Sequence, residues 1–85
     1  MKDMTAALII LNKRLLLVHN AKHNQIRVEP PGGKKEEGES LEECVVREAR
    51  EELGIEIEPL SLFGAYETQS PEGPFKVYMY ISRIK

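Results

Sequence analysis

Residues 30–54 read PPGGKKEEGESLEECVVREAREELG and decide how the rest of the chain is interpreted. A Pro-Gly cluster that breaks regular structure is followed by a long segment with helical periodicity. Ser40 and Glu43 have the spacing of a capping box, and acids crowd the first turn, where the helix dipole favours them. Gly54 is suited to a left-handed C-cap. The stretch predicts one strong helix from Ser40 to Gly54.

On a helical wheel this segment places acids where apolar residues belong. Its apolar stripe contains Leu41, Cys44, Val45, Ala49 and Leu53. With Leu41 at zero, Glu48 falls at about −20° and Glu52 at about +20°, both inside the stripe. Glu51 lies at about −80°, just beside it. The pattern predicts two carboxylates on the face that should pack against a sheet.

Two like charges on a buried face cost several kcal/mol unless a positive partner lies between them. A divalent cation is an economical partner, and carboxylate oxygens favour Mg²⁺ or Mn²⁺ over Zn²⁺. Gly32 and Gly33, just before the helix, offer backbone groups that a ligand can approach closely. A solvated acidic helix at the edge of the fold stays open as the alternative.

The charge distribution is consistent with the same two interpretations, a cation site or a solvated acidic helix. Residues 34–58 hold 10 of the 14 acids and 4 of the 12 bases, a local balance of −6, so the remainder sums to +4. A uniformly basic binder of nucleic acid polymers is excluded by this balance. A compact acidic block fits a cation site or a solvated helix.

The rest of the chain is rich in predicted strands, over residues 5–11, 14–19, 26–29, 55–66 and 75–84. Asn12-Lys13 predicts a tight turn between the first two strands, which are apolar on both faces and therefore expected to be covered on both. Residues 20–25 predict a loop and residues 70–74 a turn. The order of elements indicates an α+β fold with a mixed sheet.

Composition places this chain among single globular domains. It has 85 residues, of which 41% are hydrophobic and 31% charged. Its one cysteine excludes an internal disulfide framework and fits a reducing compartment. No apolar run approaches the ~20 residues of a membrane helix. We expect a cytoplasmic protein with no membrane partner.

The residues of the acidic segment together resemble the Nudix hydrolase family. The family box reads G-x5-E-x7-R-E-U-x-E-E-x-G-U, where U is a bulky apolar residue. The matching positions here are Gly33, Glu39, Arg47, Glu48, Ala49, Glu51, Glu52, Gly54 and Ile55. Ala49 is the only soft match. Residues 28–34 and 45–48 look most like the MutT-type branch.

The resemblance implies a Mg²⁺-dependent pyrophosphohydrolase, with Mn²⁺ as a substitute, that cleaves a nucleoside diphosphate linked to another moiety. It implies catalytic roles for Arg47, Glu48, Glu51 and Glu52, and metal binding by Glu48, Glu51 and Glu52 with a backbone carbonyl of Gly32 or Gly33. Glu39 and Gly54 take structural roles in the motif. The candidate substrate contacts are Lys34, Arg27 and Glu29.

The resemblance also implies a C-terminal part beyond Lys85, with a second helix, that this chain lacks. We therefore treat residues 1–85 as one C-terminally short Nudix-like domain. A non-catalytic fragment that binds metal, nucleotide or a partner chain remains the alternative function. A homo-oligomer is expected, in which a second copy covers a sheet face through Phe75, Val77, Met79 and Ile81.

Overall fold

The computed structural model describes residues 1–22 and 25–85, and for residues 20–22 and 25–27 it describes the backbone alone. The elements in chain order are β1 Lys2–Leu11, β2 Arg14–Leu15, β3 Val18–Lys22, β4 Gln25–Glu29, β5 Gly32–Lys34, α1 Leu41–Leu53, β6 Ile57–Ser70 and β7 Gly73–Ile84. In these described residues α1 is far shorter than the span of a bilayer, and no helix is long and apolar enough to cross one.

The main sheet is mixed, as predicted. Its strand order is β2-β1-β7-β6, and β5 also pairs with β1. The pair β1–β7 is parallel, whereas β1–β2, β1–β5 and β6–β7 are antiparallel. Strands β3 and β4 form a separate antiparallel pair. With one helix packed on the sheet in the part of the chain that the structure describes, the fold is α+β, which confirms the predicted class.

Both predicted ends of the helix are confirmed. The Ser40 hydroxyl accepts a hydrogen bond from the backbone N–H of Glu43 at 3.0 Å, and the Glu43 carboxylate accepts one from the N–H of Ser40 at 2.7 Å. Gly54 has φ 66°, and its N–H donates to the carbonyl of Arg50 at 2.9 Å. The helix is thus bounded by local chemistry alone.

The core lies between α1 and one face of the main sheet. Its buried members are Ala7, Ile9, Val45, Ala49, Ile57 and Tyr80. They come from β1, α1, β6 and β7, so the apolar stripe of the helix packs across three strands. Because Glu48 and Glu52 lie within this stripe, the same packing turns them toward the sheet.

The first hairpin differs from its prediction in two respects. The turn at Asn12-Lys13 is confirmed, with φ of 50° and 65°. However, the strand after it, β2, spans only two residues, and β3 runs into the segment predicted as a loop because it pairs with β4. Burial on both faces was also wrong: Ile10 and Leu15 are 66% and 45% exposed, since β2 is a short edge strand.

The second hairpin is longer than predicted. Strand β6 continues to Ser70 and β7 begins at Gly73, and the register of the pair shifts between Pro59 and Ser61. Phe75 and Val77 are only 2% and 6% exposed. Those two side chains are therefore already covered within the chain and do not offer a bare face to a second copy.

Candidate metal and catalytic site

The Pro-Gly segment is a strand where the sequence predicted a break. In β5, Gly32 pairs with Ala6 and Gly33 with Thr5 of β1. A Cβ at Gly32 would lie 2.0 Å from the backbone carbonyl oxygen of Thr5, far inside contact distance. Only glycine allows this approach, so β5 pairs closely with β1 and its backbone lies against α1.

Glu48 reaches this backbone from α1. A Cβ at Gly33 would lie 2.6 Å from the carboxylate carbon of Glu48, so the carboxylate rests directly on the glycine. The Glu48 side chain is 15% exposed. It therefore lies where the wheel places it, on the sheet side of the helix and largely shielded from water.

Glu52 lies one turn further along the same face. Its Oε1 accepts a long hydrogen bond of 3.4 Å from the backbone N–H of Gly32. Its Oε2 is buried, with an accessible area below 1 Å². The two carboxylates inside the apolar stripe thus both lie against β5.

Arg47 connects the helix to the preceding loop. Nε and Nη2 donate to the two oxygens of Glu39 at 3.0 and 2.8 Å, a bidentate pair. Nη2 also donates to the backbone carbonyl of Lys34 at 2.9 Å. The guanidinium therefore holds the end of β5 and the residue before the N-cap at a fixed distance from α1.

The same guanidinium contacts three further acids. Nη1 donates to Glu48 at 2.9 Å and to Glu51 at 3.0 Å, and Nε lies 3.1 Å from Glu36. We call Arg47 with its four acidic partners the Arg47 cluster; its acids are Glu36, Glu39, Glu48 and Glu51. Acids outnumber the guanidinium, so the surroundings of Glu48 and Glu52 carry net negative charge.

Three pKa values record this environment. Hydrogen bonding to Arg47 lowers the pKa of Glu39 to about 2, and the same bond raises the pKa of Arg47 above its ordinary value. Burial raises the pKa of the Cys44 thiol, whose Sγ lies 3.1 Å from Oγ1 of Thr5. Cys44 is fully buried and packs β1 against α1, as its place on the apolar stripe predicts.

The donor set fits a hard divalent cation. It consists of carboxylate and backbone oxygens with excess negative charge, which suits Mg²⁺ or Mn²⁺. Within the described part of the chain, no three acidic, His or Cys side chains are already grouped at metal-binding separations. One reason is visible: Arg47 draws an oxygen of Glu48 and one of Glu51 toward itself, and Glu51 is 57% exposed.

The candidate substrate contacts are brought partly together. We call the adjoining cavity of about 600 Å³ the outer groove; Glu29, Gly32, Lys34, Tyr66, Glu72 and Phe75 line it. Met4 and Val77, register partners on β1 and β7, also line it, whereas the Thr5 hydroxyl faces α1, with its Oγ1 3.1 Å from Sγ of Cys44. Glu29 and Lys34 thus share one groove that meets the carboxylates at Gly32. The Arg27 side chain lies outside the described residues.

Sequence reasoning missed three participants in this region. Glu36 pairs with Arg47 from the loop, the Lys34 carbonyl accepts from Arg47, and Glu72 forms an ion pair with Lys34. The loop position of Glu36, three residues before Glu39, carries no periodicity that would reveal it. Glu72 is 38 residues from its partner, so no local pattern points to the pair.

Comparisons with known proteins agree with the geometry. An 8-oxo-dGTP diphosphatase of Escherichia coli (strain K12) is 39% identical over 59 residues, covering 69% of this chain and 46% of its own length. The chain therefore spans about half the length of that curated relative. A MutT protein from Methanosarcina mazei Go1 is 29% identical, with a TM-score of 0.84, covering 99% of this chain and 67% of that one.

A NUDIX hydrolase from Nitrosomonas europaea superimposes with a TM-score of 0.90 at 25% identity, covering 99% of this chain and 59% of that one. The family model described as NUDIX domain matches residues 1–83. With the motif residues gathered between β5 and α1 and nearly the whole chain matched, this protein belongs to the NUDIX family, and its relatives are MutT-like.

Proposed function

We propose that this chain is a divalent-metal-dependent pyrophosphohydrolase acting on a nucleoside diphosphate linked to another moiety. The observation that carries the proposal is the position of the Glu48 and Glu52 carboxylates against the backbone of Gly32 and Gly33. A nucleoside triphosphate, an ADP-ribose-like compound and a nucleotide sugar all contain the required phosphoanhydride bond. The 8-oxo-dGTP diphosphatase similarity supports this class of substrate.

In this proposal Glu48, Glu51 and Glu52 hold Mg²⁺, with a backbone carbonyl of Gly32 or Gly33. A bound cation supplies Lewis-acid chemistry, because it offsets the charge of a diphosphate and acidifies water. Arg47 positions Glu48 and Glu51 by its hydrogen bonds of 2.9 and 3.0 Å.

The remaining residues supply position and shape. Glu39 stays ionised because its pKa is about 2, so it keeps Arg47 oriented at any physiological pH. Lys34, Arg27 and Glu29 are proposed as substrate contacts. In the overall reaction a water oxygen bonds to phosphorus and the phosphoanhydride P–O bond breaks. The products are a nucleoside monophosphate, the remaining moiety with its own phosphate, and a proton.

A substrate panel tests the function. Nucleoside triphosphates, ADP-ribose and nucleotide sugars are incubated with and without Mg²⁺, and released nucleoside monophosphate is measured. We expect Mg²⁺-dependent release from at least one class. Saturable nucleotide binding with no turnover across the panel would instead favour the non-catalytic alternative.

Isosteric variants assign the activity to the site. Glu52→Gln and Glu48→Gln each remove one ligand charge and keep the shape, so we expect activity to fall at least ~10²-fold, several kcal/mol of transition-state stabilisation. Glu56→Gln is the matched control, because Glu56 is exposed and pairs with Arg50 away from β5. Wild-type rates from both site variants would exclude these roles.

The identity of the cation, the location of the protein and its assembly are part of the same proposal. We propose Mg²⁺ as the physiological cation, with Mn²⁺ able to replace it, from the all-oxygen donor set. We propose a cytoplasmic location from the single, buried cysteine. We also propose a homo-oligomer, since apolar side chains of the edge strand β6 are exposed; they are Leu60, Leu62 and Phe63.

A further inference from the structure

Lys34 links two parts of the molecule. Its carbonyl oxygen accepts from Nη2 of Arg47 at 2.9 Å, whereas its ammonium forms an ion pair with Glu72 in the turn between β6 and β7. The ammonium also lies 5.6 Å from the centroid of the Phe75 ring. Lys34 therefore extends from the Arg47 cluster across to the second hairpin.

This ion pair stands at the mouth of the outer groove. Lys34, Glu72 and Phe75 all line the groove. The side chains of Lys34 and Glu72 are 50% and 53% exposed, while Phe75 beneath them is 2% exposed. The pair thus covers the ring and meets solvent on its other side.

The chemistry of the pair suggests competition. A lysine ammonium binds phosphate as a point charge, and a phosphate group carries about −1.5 to −2 charges against one on a carboxylate. Exposed ion pairs are weak, so a phosphate group can displace the carboxylate of Glu72 from Lys34. A neutral ligand brings nothing that displaces it.

We propose that Glu72 limits the affinity of the outer groove for phosphate-bearing ligands: it holds the Lys34 ammonium over Phe75 and competes with the phosphate group of a ligand for that ammonium. The inference rests on the proposed function for the class of ligand. It concerns which ligands bind, and not whether a bond is cleaved.

The proposal predicts a conditional gain in affinity. Glu72→Gln removes the competing charge and keeps the shape, so the affinity for a phosphate-bearing ligand should rise roughly two- to fivefold, the range that exposed ion pairs span. The affinity for the matching neutral nucleoside should not change. The gain should vanish when Lys34 is replaced, because the ammonium for which Glu72 and the phosphate group compete is then absent.

Titration calorimetry without divalent metal tests this. ADP and adenosine are titrated into wild type, Glu72→Gln, Lys34→Gln and the double variant, with Glu67→Gln as control. Glu67 lies on the same hairpin, opposite Lys76 in β6–β7 register, and its substitution makes the same change in net charge. Hydrolysis is not measured, so absence of turnover would refute the proposed function and leave this result intact.

Tighter ADP binding in Glu72→Gln alone, unchanged adenosine binding and no gain in the double variant would support the proposal. Equal gains in Glu67→Gln, equal gains for adenosine, unchanged ADP affinity, or no ADP binding to either wild type or Glu72→Gln would overturn it. The Hε resonances of Lys34 give a second readout. We expect them to lose their ring-current shift from Phe75 in Glu72→Gln, and an unchanged shift would contradict the holding role of Glu72.

Discussion

The segment Gly32 to Gly54 and the hairpin of β6 and β7 hold their structures by different means. In the first, particular residues decide the arrangement. They are glycines that allow a neighbouring strand to approach, a capping box, and one guanidinium that joins the loop to the helix. In the second, a long antiparallel backbone ladder does so. Substitutions should therefore be costly and specific in the first region and mild in the second.

The largest difference in stability between the two regions is expected when one glycine is replaced in each. Gly32→Ala places a Cβ 2.0 Å from a backbone oxygen that cannot move aside, so we expect a loss of about 3 kcal/mol in the free energy of unfolding. Gly64→Ala in β6 is the control, because nothing lies within 4 Å of its Cβ. Urea unfolding of both variants measures the difference, and equal stability would contradict the close approach of β5 to β1.

Removal of the Arg47 guanidinium should cause the second-largest loss of stability. Arg47→Gln leaves the largely shielded carboxylates of Glu39 and Glu48 without their partner, so we expect a loss on the order of 3 kcal/mol near neutral pH. Arg50→Gln, whose ion pair with Glu56 is exposed to solvent, should change stability far less than Arg47→Gln. Thermal unfolding of the two variants gives the comparison.

The ion pair between Arg47 and Glu39 makes the stability of the fold depend on pH. The pKa of Glu39 is about 2 in the folded chain against about 4.3 when unfolded, so it contributes stability above the unfolded value. That contribution falls as pH drops from ~4.3 toward ~2. Arg47→Gln should flatten the change in unfolding free energy across this window. A profile parallel to that of wild type would show that the pair does not stabilise the fold.

Gly33→Ala should separate function from stability. Its Cβ meets the end of the flexible Glu48 side chain, which can move, so we expect less than about 1 kcal/mol of destabilisation. The displaced carboxylate should nonetheless lower Mg²⁺ affinity at least ~10-fold. Calorimetry and urea unfolding on one preparation measure both effects, and intact Mg²⁺ binding would argue against Glu48 as a ligand.

The smallest effect on the fold is expected at the edge strand. Phe63 is 66% exposed, so Phe63→Ser should leave the unfolding free energy of a single chain within about 0.5 kcal/mol. If β6 carries the proposed homo-oligomer, the same change should weaken association about 10-fold. Sedimentation at micromolar concentration separates the outcomes. A monomeric wild type would contradict the proposed assembly.

Features set by local chemistry were the ones the sequence predicted well. The helix, its caps at Ser40 and Gly54, and the tight turn at Asn12-Lys13 each depend on residues within a few positions of one another. The face of the helix that carries Glu48 and Glu52 follows from a period of about 3.6 residues. These features needed no knowledge of the tertiary fold.

Features set by distant partners were missed. Gly32-Gly33 suits both a turn and a strand, and only its pairing with β1 makes it β5. Likewise β3 extends because β4 is available, and Glu72 matters because the β6–β7 turn approaches Lys34. Periodicity shows which residues share a face, but it does not show which strand or turn lies opposite.

Calorimetric titration of Mg²⁺ into wild type, Glu52→Gln and Glu56→Gln near neutral pH tests the central claim most directly, because it measures the cation site without requiring a substrate. We predict saturable binding to wild type and Glu56→Gln, and an affinity at least ~10-fold lower for Glu52→Gln. Equal binding by all three, or no binding by wild type, would contradict a cation site between α1 and β5.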